Sequence, residues 1–391
     1  MSAISNRAVS RLHAGPFSEK AVTDLAHDAL AEIGGKVTCG FVFVSSGYAP
    51  NLRDFLELIQ LHAHVPMLAG CSGSGLLGAG REEESAEGFT LLLLHLPQTQ
   101  VHAVRLPAVG EHDELTPGAM RALASRGGAE CAEWIVVANP FSLAVEPWLD
   151  AWNTAFPGVP AIGGLASGGQ RGDTAFVFLD RELVEGGVAI GFSGGVKVHA
   201  LVSQGCRPVG EPFTITGAEG HLVTSLGSRP AFEALDATFG SLPPEDKALA
   251  QGNLFVGLAM SEYIEEFKTG DFLVRNLIGG DPQAGVLAVG ALPRVGQTLQ
   301  FQLRDRASAD AEMRHLLADA KAKGAQPFAS LVFSCAGRGR HLFGEPHHDA
   351  RVLAEILGEH ASAGFFCNGE IGPVAARNFI HGYTAALALF S

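Results

Sequence analysis

A chain of 391 residues is too long for one ordinary core, so two domains are expected, and 47% hydrophobic residues are enough to fill them. A net charge of −14 repels phosphate backbones and anionic lipid, which argues against nucleic acid and membrane surfaces as partners. No apolar stretch approaches the length of a spanning helix, "MSAISNRAVSRLHAG" carries no signal core, and the six cysteines form no CxxC pair, so a cytoplasmic protein with reduced thiols is expected.

In chain order, the first strong strand is "CGFVFVSSG" (Cys39 to Gly47), an apolar run ending in small polar residues. "NLRDFLELIQLH" follows, with Leu52, Phe55, Leu56 and Ile59 at helical spacing, and "VPMLAGCSGSG" closes the unit as a second strand and glycine turn. "GFTLLLLHL" is a further strand. The pattern then recurs as "EWIVVANP", a helical "VEPWLDAWNTAF" and "VPAIGGLASGG" (Val159 to Gly169), followed by "TAFVFL" and "GGVAIGFSG". An offset of 93 relates Cys71 to Gly164 and Ser74 to Ser167. "CRPVGEPFTITGAEG" (Cys206 to Gly220) breaks the pattern with Pro and Gly, which places the domain boundary near it. "SLGSRPAFEALDATFG" reads as the opening helix of the second domain, with Arg229 and Pro230 at its start. "NLFVGLAM" (Asn253 to Met260) and "AGVLAVGAL" (Ala284 to Leu292) suggest a fainter further copy. Near the end, "ASLVFSCAGRGR", the helix "HHDARVLAEILGEH", "AGFFCNGEIG" and "GYTAALALF" repeat the unit once more, with Glu370 in the place of Ser74 and Ser167. Repeated strand–helix–strand units predict an α/β protein of two domains, with mixed sheets covered by helices.

In such sheets ligands bind beyond the carboxyl ends of strands, where "SSGY", "GCSGSG", "GGLASGG" and "CNGEIG" fall. Glycines admit a ligand to the backbone, and free N–H groups there could hold an anion. "GCSGSGLLG" only superficially resembles a dinucleotide loop, and neither a GK[ST] phosphate loop nor a GxSxG elbow is present. The polar candidates sit at apolar strand ends: Arg275 and Asn276 after "DFLV", Arg304 and Asp305 after "LQFQL", Cys335 and Arg338 around "FSCAG", Glu370 after "FFCNG", and Tyr383 before the last strand. Arginine clamps a carboxylate and glutamate holds an ammonium, so their convergence would suit an amino acid or related carboxylate. The same residues would equally serve as buried structural bridges, Arg304 or Arg338 pairing with Glu370 or Asp305. A catalytic Cys335 would need His341 or His381 as its base. "HAH" (His62, His64) and "PHHD" (His347 to Asp349) lack a second half at zinc spacing, so no metal is expected. A non-covalent haem, with His381 as axial ligand, is the alternative to a chain without cofactor.

"SLVFSCAGRGRHLFGEP", "GFFCNGEIGPV" and "HGYTAALALF" together resemble the C-terminal domain of the FIST family, as do "LVRNLIGGDPQAGVLAVG", "GQTLQFQLRD" and "PFTITGAEGHLVTSLGSRPAFEAL". "VPMLAGCSGSG" and "VPAIGGLASGG" resemble the glycine turns of its N-terminal domain. One departure is Ser228-Arg229, where the family usually carries Gly-Lys or a similar pair. The resemblance implies an N-terminal extension over residues 1–24, a FIST N-like domain over 25–215 and a FIST C-like domain over 216–391. It further implies a sensory module that binds a small ligand such as an amino acid. Some bacterial members are linked to haem and nitric oxide sensing, and a eukaryotic branch carries an F-box. With no room here for an F-box, a kinase or a transmembrane part, signalling is expected through a separate partner, such as a histidine kinase or a cyclic-di-GMP enzyme.

Overall fold

The computed structural model describes residues 5–110, 115–125, 131–168, 175–263, 267 and 270–391. Gly169, the last residue of the second glycine turn, lies outside them. The chain divides into two units, one made of residues 1–202 and 314–391 and the other of residues 203–313. The division is therefore cut differently from a linear boundary at residues 215 and 216. The smaller unit is an insertion into the larger one.

The larger unit is built from three copies of one pattern. The first comprises β1 (Arg7–Ala14), α1 (Glu19–Ile33), β2 (Cys39–Ser45), α2 (Leu52–Ala63), β3 (Leu68–Gly73), the hairpin of β4 (Leu76–Gly78) and β5 (Arg81–Glu83), and β6 (Gly88–His95). Residues 7–24, expected as an extension, thus supply an edge strand and the start of a helix. The second comprises β7 (Thr99–Leu106), α3 (Pro117–Ser125), β8 (Glu133–Ala138), α4 (Val145–Ala155), β9 (Ala161–Leu165), the hairpin of β10 (Val177–Leu179) and β11 (Glu182–Val184), and β12 (Gly187–Gly194).

The third copy opens with β13 (Val198–Ser203). The inserted unit then contributes β14 (Cys206–Glu219), β15 (Leu222–Leu226), β16 (Arg229–Pro230), α5 (Ala231–Ser241), α6 (Pro244–Ala250), β17 (Leu254–Ala259), β18 (Phe272–Asp281), β19 (Val286–Val289) and β20 (Thr298–Arg304). The chain re-enters the larger unit within α7 (Arg306–Ala322). It continues through β21 (Ala329–Cys335), the short α8 (Gly339–Phe343), α9 (His348–Leu357), β22 (Ala361–Cys367), the hairpin of β23 (Glu370–Val374) and β24 (Arg377–His381), and β25 (Ala385–Phe390).

Each sheet borrows the hairpin of another copy. The orders are β1-β6-β2-β3-β10-β11, β24-β23-β9-β8-β12-β7 and β13-β25-β21-β22-β4-β5. The second copy's hairpin completes the first sheet, the third's completes the second, and the first's completes the third. This cyclic exchange gives the larger unit a pseudo-threefold organisation. Pairing register fixes the equivalences: Val177 faces Cys71, Glu370 faces Gly164 and Leu76 faces Phe365. Gly70, Gly163 and Gly364 occupy one shared position. There a Cβ would lie 1.7, 1.7 and 1.9 Å from the carbonyl oxygens of Val42, Val136 and Val332 on the parallel neighbour strand. No side chain fits such an approach, which is why the repeat shows in the sequence as glycine.

Apolar inner faces of all three sheets, including Phe43, Ile135, Ile190, Phe333 and Phe365, merge in one core. Helices α1 and α2 cover the outer face of the first sheet through Val22, Phe55 and Ile59, and α3 and α4 cover the second through Met120, Trp148 and Trp152. The inserted unit is a seven-stranded sheet in the order β14-β20-β17-β18-β19-β15-β16, with its own core around Phe301 and Leu258. The expected further copy at Asn253 to Leu292 is overturned. The segments become β17 and β19 with β18 between them, all antiparallel, because a hairpin-connected meander needs no covering helix. Among the described residues no helix is long and apolar enough to cross a membrane.

Candidate functional site

The carboxyl ends of the paired central strands meet where the three glycine turns meet. The turns are bonded in a ring. Ser167 donates its N–H to the Ser72 carbonyl (3.0 Å), Leu165 to Gly369 (2.8 Å), Asn368 to Leu165 (3.1 Å) and Phe366 to Gly75 (2.9 Å). Side chains reinforce it, with the Ser74 N–H on Ser167 Oγ (2.8 Å) and the hydroxyls of Ser74 and Ser167 both donating to the Phe366 carbonyl. Gly168 needs φ = +108° to pass within contact of Gly73, a conformation glycine adopts without strain.

Above this ring lies a cleft of about 570 Å³. Its walls are Ser45, Ser46 and Gly47 at the end of β2, Gly73 and Ser74 at the end of β3, Glu84 to Glu87 after β5, Ser167 and Gly168 after β9, Ala336 after β21 and Asn368 after β22. The described lining holds two carboxylates, several hydroxyls and an amide, and no lysine or arginine. The expectation that free N–H groups at the turns hold an anion fails at four of its positions. The N–H groups of Ser74, Ser167, Ala336 and Asn368 are all donated within the protein. The sequence had marked the turns that carry Ser45, Ser46 and Asn368 without naming these residues as candidates, and had not marked Glu84 or Glu87. The signal that could have found Asn368 is its equivalence, by register, with Ser74 and Ser167.

Glu370 is a different element. Its counterparts by register are Leu76 and Val177, not the serines, and it is fully buried. Its Oε2 accepts the N–H (3.2 Å) and hydroxyl (2.8 Å) of Thr384. Burial pushes its pKa up to about 8, although the Thr384 bonds and the Arg338 charge act in the opposite direction. Arg338, whose charge acts on Glu370, bonds Asp349. It forms a fork onto Asp349, Nε to Oδ2 and Nη2 to Oδ1 at 2.9 Å each, and lies over the Phe343 ring at 5.2 Å. Ser334 and His348 also bond Asp349, at 3.0 Å each. Burial would raise the Asp349 pKa, but the Arg338 charge and these bonds hold it well below the ordinary carboxylate range. Glu82, on the borrowed hairpin, accepts the Ala350 N–H in the first turn of α9 at 3.0 Å, a cap supplied by another copy.

Cys335 and Cys367 pair in register on neighbouring strands, as expected from their matching places. Burial, with the Glu370 charge, pushes the Cys335 thiol up to about 12, and burial raises Cys367 well above its ordinary value. The sulfur of Cys335 takes the Gly337 N–H at 3.5 Å, so no histidine is needed to account for its setting. Tyr383 adopts φ = +63° in the turn leading to Thr384. His381 is 3% exposed within β24, faces Glu370 in register and has Nε2 on the Gly372 carbonyl at 3.1 Å. A ring so enclosed does not fit an axial haem ligand, which needs a nitrogen facing an open apolar slot.

The remaining candidates belong to the inserted unit. Arg304 is buried, donates to Asn253 Oδ1 at 2.8 Å and lies over Phe255. Asp305 caps α7 through the Ser308 N–H (2.8 Å) and hydroxyl (2.7 Å) and takes Arg207 at 2.9 Å. Its burial raises the pKa, and these bonds outweigh that and lower it. Arg275 is half-buried, and Asn276, its neighbour on β18, is exposed. Among the described residues no group of three His, Cys, Asp or Glu could hold a metal. "PHHD" instead supplies the Arg338 partner Asp349 and a His348 ring stacked on Phe343.

Comparison with known proteins settles the family. The FIST N domain matches residues 38–229 and the FIST C domain residues 231–373. The chain belongs to the FIST family. Its domains are sensory modules of signalling systems. Among relatives, the uncharacterized protein MT0656 of Mycobacterium tuberculosis is 33% identical over 96% of this chain and 97% of its own length. The uncharacterized protein Mb0898c of Mycobacterium bovis is 32% identical, over 96% of both. Among solved structures, a cyanuric acid hydrolase from A. caulinodans aligns over 98% of this chain and 99% of its own at 10% identity, with a TM-score of 0.36. That score is too low to carry the hydrolase's chemistry over to this FIST protein.

Proposed function

We propose that this FIST protein is a small-ligand sensor, not an enzyme, and that its ligand binds in the cleft above the ring of glycine turns. The observation that carries the reading is the convergence of all three copies on one polar cleft at the carboxyl ends of their strands. That is where open α/β sheets bind ligands, and backbone there is close enough for contact. Ligand occupancy would bridge turns from three copies and so report on the whole unit. The signal passes to a separate protein, a histidine kinase or cyclic-di-GMP enzyme being the class the family implies. The raised pKa values of the half-buried Cys335 and the buried Cys367 support a non-catalytic reading of both thiols.

A thermal-shift screen of amino acids, carboxylates, amines and polyols tests it. A ligand at about a hundred times its Kd raises stability by roughly 2.7 kcal/mol. Asn368→Trp, at an exposed position on the cleft wall, is expected to abolish that shift while leaving the unliganded melt unchanged. A ligand whose shift survives Asn368→Trp overturns the reading.

A further inference from the structure

We infer that the cleft takes a small organic ammonium compound lacking a carboxylate, such as a primary amine or amino alcohol. The inference rests on the cleft being the ligand site, and it follows from how the cleft's donors and acceptors are already committed. The hydroxyl protons of Ser74 and Ser167 both go to the Phe366 carbonyl, and Ser167 Oγ also accepts the Ser74 N–H, so of the two it is the Ser74 oxygen that keeps its lone pairs for a ligand. The backbone N–H groups of Ser74, Ser167, Ala336 and Asn368, which would otherwise cradle an anion, are donated inside the protein. Glu84 and Glu87 add two carboxylates, and no lysine or arginine of the described lining balances them. The net charge of −14 favours cations further.

A cleft whose described charged groups are both carboxylates favours a ligand that brings positive charge and donors, and an ammonium group brings three. A carboxylate would meet lone pairs and negative charge. A divalent metal is the weaker fit, because one of the two carboxylates, Glu84, already accepts the Arg340 N–H with both oxygens, at 3.0 and 3.1 Å. Among the described residues the walls offer Ala86 and Ala336 as their only apolar side chains, so a bulky hydrophobic ligand gains little there.

The test is a thermal-shift and calorimetric comparison of ethanolamine, 1,3-diaminopropane, glycine, glycolate and magnesium chloride on the full chain. Ethanolamine and the diamine are expected to raise the melting temperature, with an effect that weakens as salt is added. Glycolate and magnesium are expected to leave it unchanged. Glu87→Gln should weaken amine binding by about tenfold, the loss of one charge-assisted hydrogen bond. Ser46→Trp is a second variant, should Glu87→Gln fail to fold. Absence of any amine shift, or a shift from glycolate or magnesium instead, overturns the ammonium inference. If that other shift is lost in Asn368→Trp, the cleft remains the site and only the ligand class is wrong. If any shift persists in Asn368→Trp, the cleft reading falls as well.

Discussion

Glu370 Oε2 accepts both the N–H and the hydroxyl of Thr384, and Oε1 has no hydrogen-bond partner among the described residues. A fully buried carboxyl with one oxygen unsatisfied is held protonated by its surroundings, in agreement with a pKa pushed up to about 8, chiefly by burial. Glu82, pushed up to about 7 by burial and the Asp349 charge, behaves likewise. A carboxyl whose folded pKa is raised stabilises the fold fully below its unfolded pKa, and that contribution is lost as pH rises through the folded value. Melting temperature should therefore fall between about pH 5 and about pH 9. Glu370→Gln should flatten most of that fall. A variant with the same slope as the parent would show that Glu370 is already ionised at neutral pH.

Asp349 runs the opposite way. Its pKa is lowered, so its contribution is present above the unfolded value and is lost as pH falls. Arg338→Ala leaves Asp349 buried without its forked partner and is expected to cost about 3–5 kcal/mol in urea unfolding. Arg338→Lys should recover only part of this, because an ammonium cannot reproduce the two-point contact. A loss below about 1 kcal/mol for Arg338→Ala, the range of exposed pairs, would contradict the geometry.

The glycines make a sharper test of the threefold pattern. Gly364→Ala places a methyl 1.9 Å from the Val332 carbonyl, which cannot move without breaking the sheet, so unfolded or aggregated protein is expected. Gly163→Ala should fail in the same way at Val136. Gly240→Ala, in α5 with nothing within 4 Å of its Cβ, should be neutral or stabilising by about 0.4–1 kcal/mol. Circular dichroism melts of the three variants distinguish these outcomes.

Much of this was legible in the sequence. Positions where only glycine fits, such as Gly70 and Gly163, leave an unmistakable trace, and so the first two copies align almost without gaps. The third copy was visible from Ala329 to Phe390 but not as a whole, because an inserted unit separates β13 from β21. The exchange of hairpins left no trace, since strands as short as Leu76–Gly78 carry no pattern that names their partner sheet. For the same reason Glu370 was matched to Ser74 and Ser167, when its structural counterparts are Leu76 and Val177. Its burial could be anticipated from the flanking apolar run. Arg338 finding Asp349 could not, because that contact depends on where α9 begins.

The cysteines should be inert in the folded chain. Cys335 and Cys367 are raised by burial, with the Glu370 charge adding to it, so iodoacetamide at neutral pH should label them far more slowly than unfolded protein. Mass spectrometry after timed labelling checks this, and rapid native labelling of Cys335 would reopen a thiol mechanism. Haem added to the purified chain is expected to give no Soret band, since His381 is enclosed in its strand.

The central claim is that one cleft, shared by three copies, holds the ligand. Hydrogen–deuterium exchange with and without a stabilising ligand tests it most directly. Protection is predicted at the turns around Ser46, Ser74, Ser167, Ala336 and Asn368 together, although they lie far apart in the chain. Protection confined to Arg275, Asn276, Arg304 and Asp305, with the glycine turns unchanged, would contradict it.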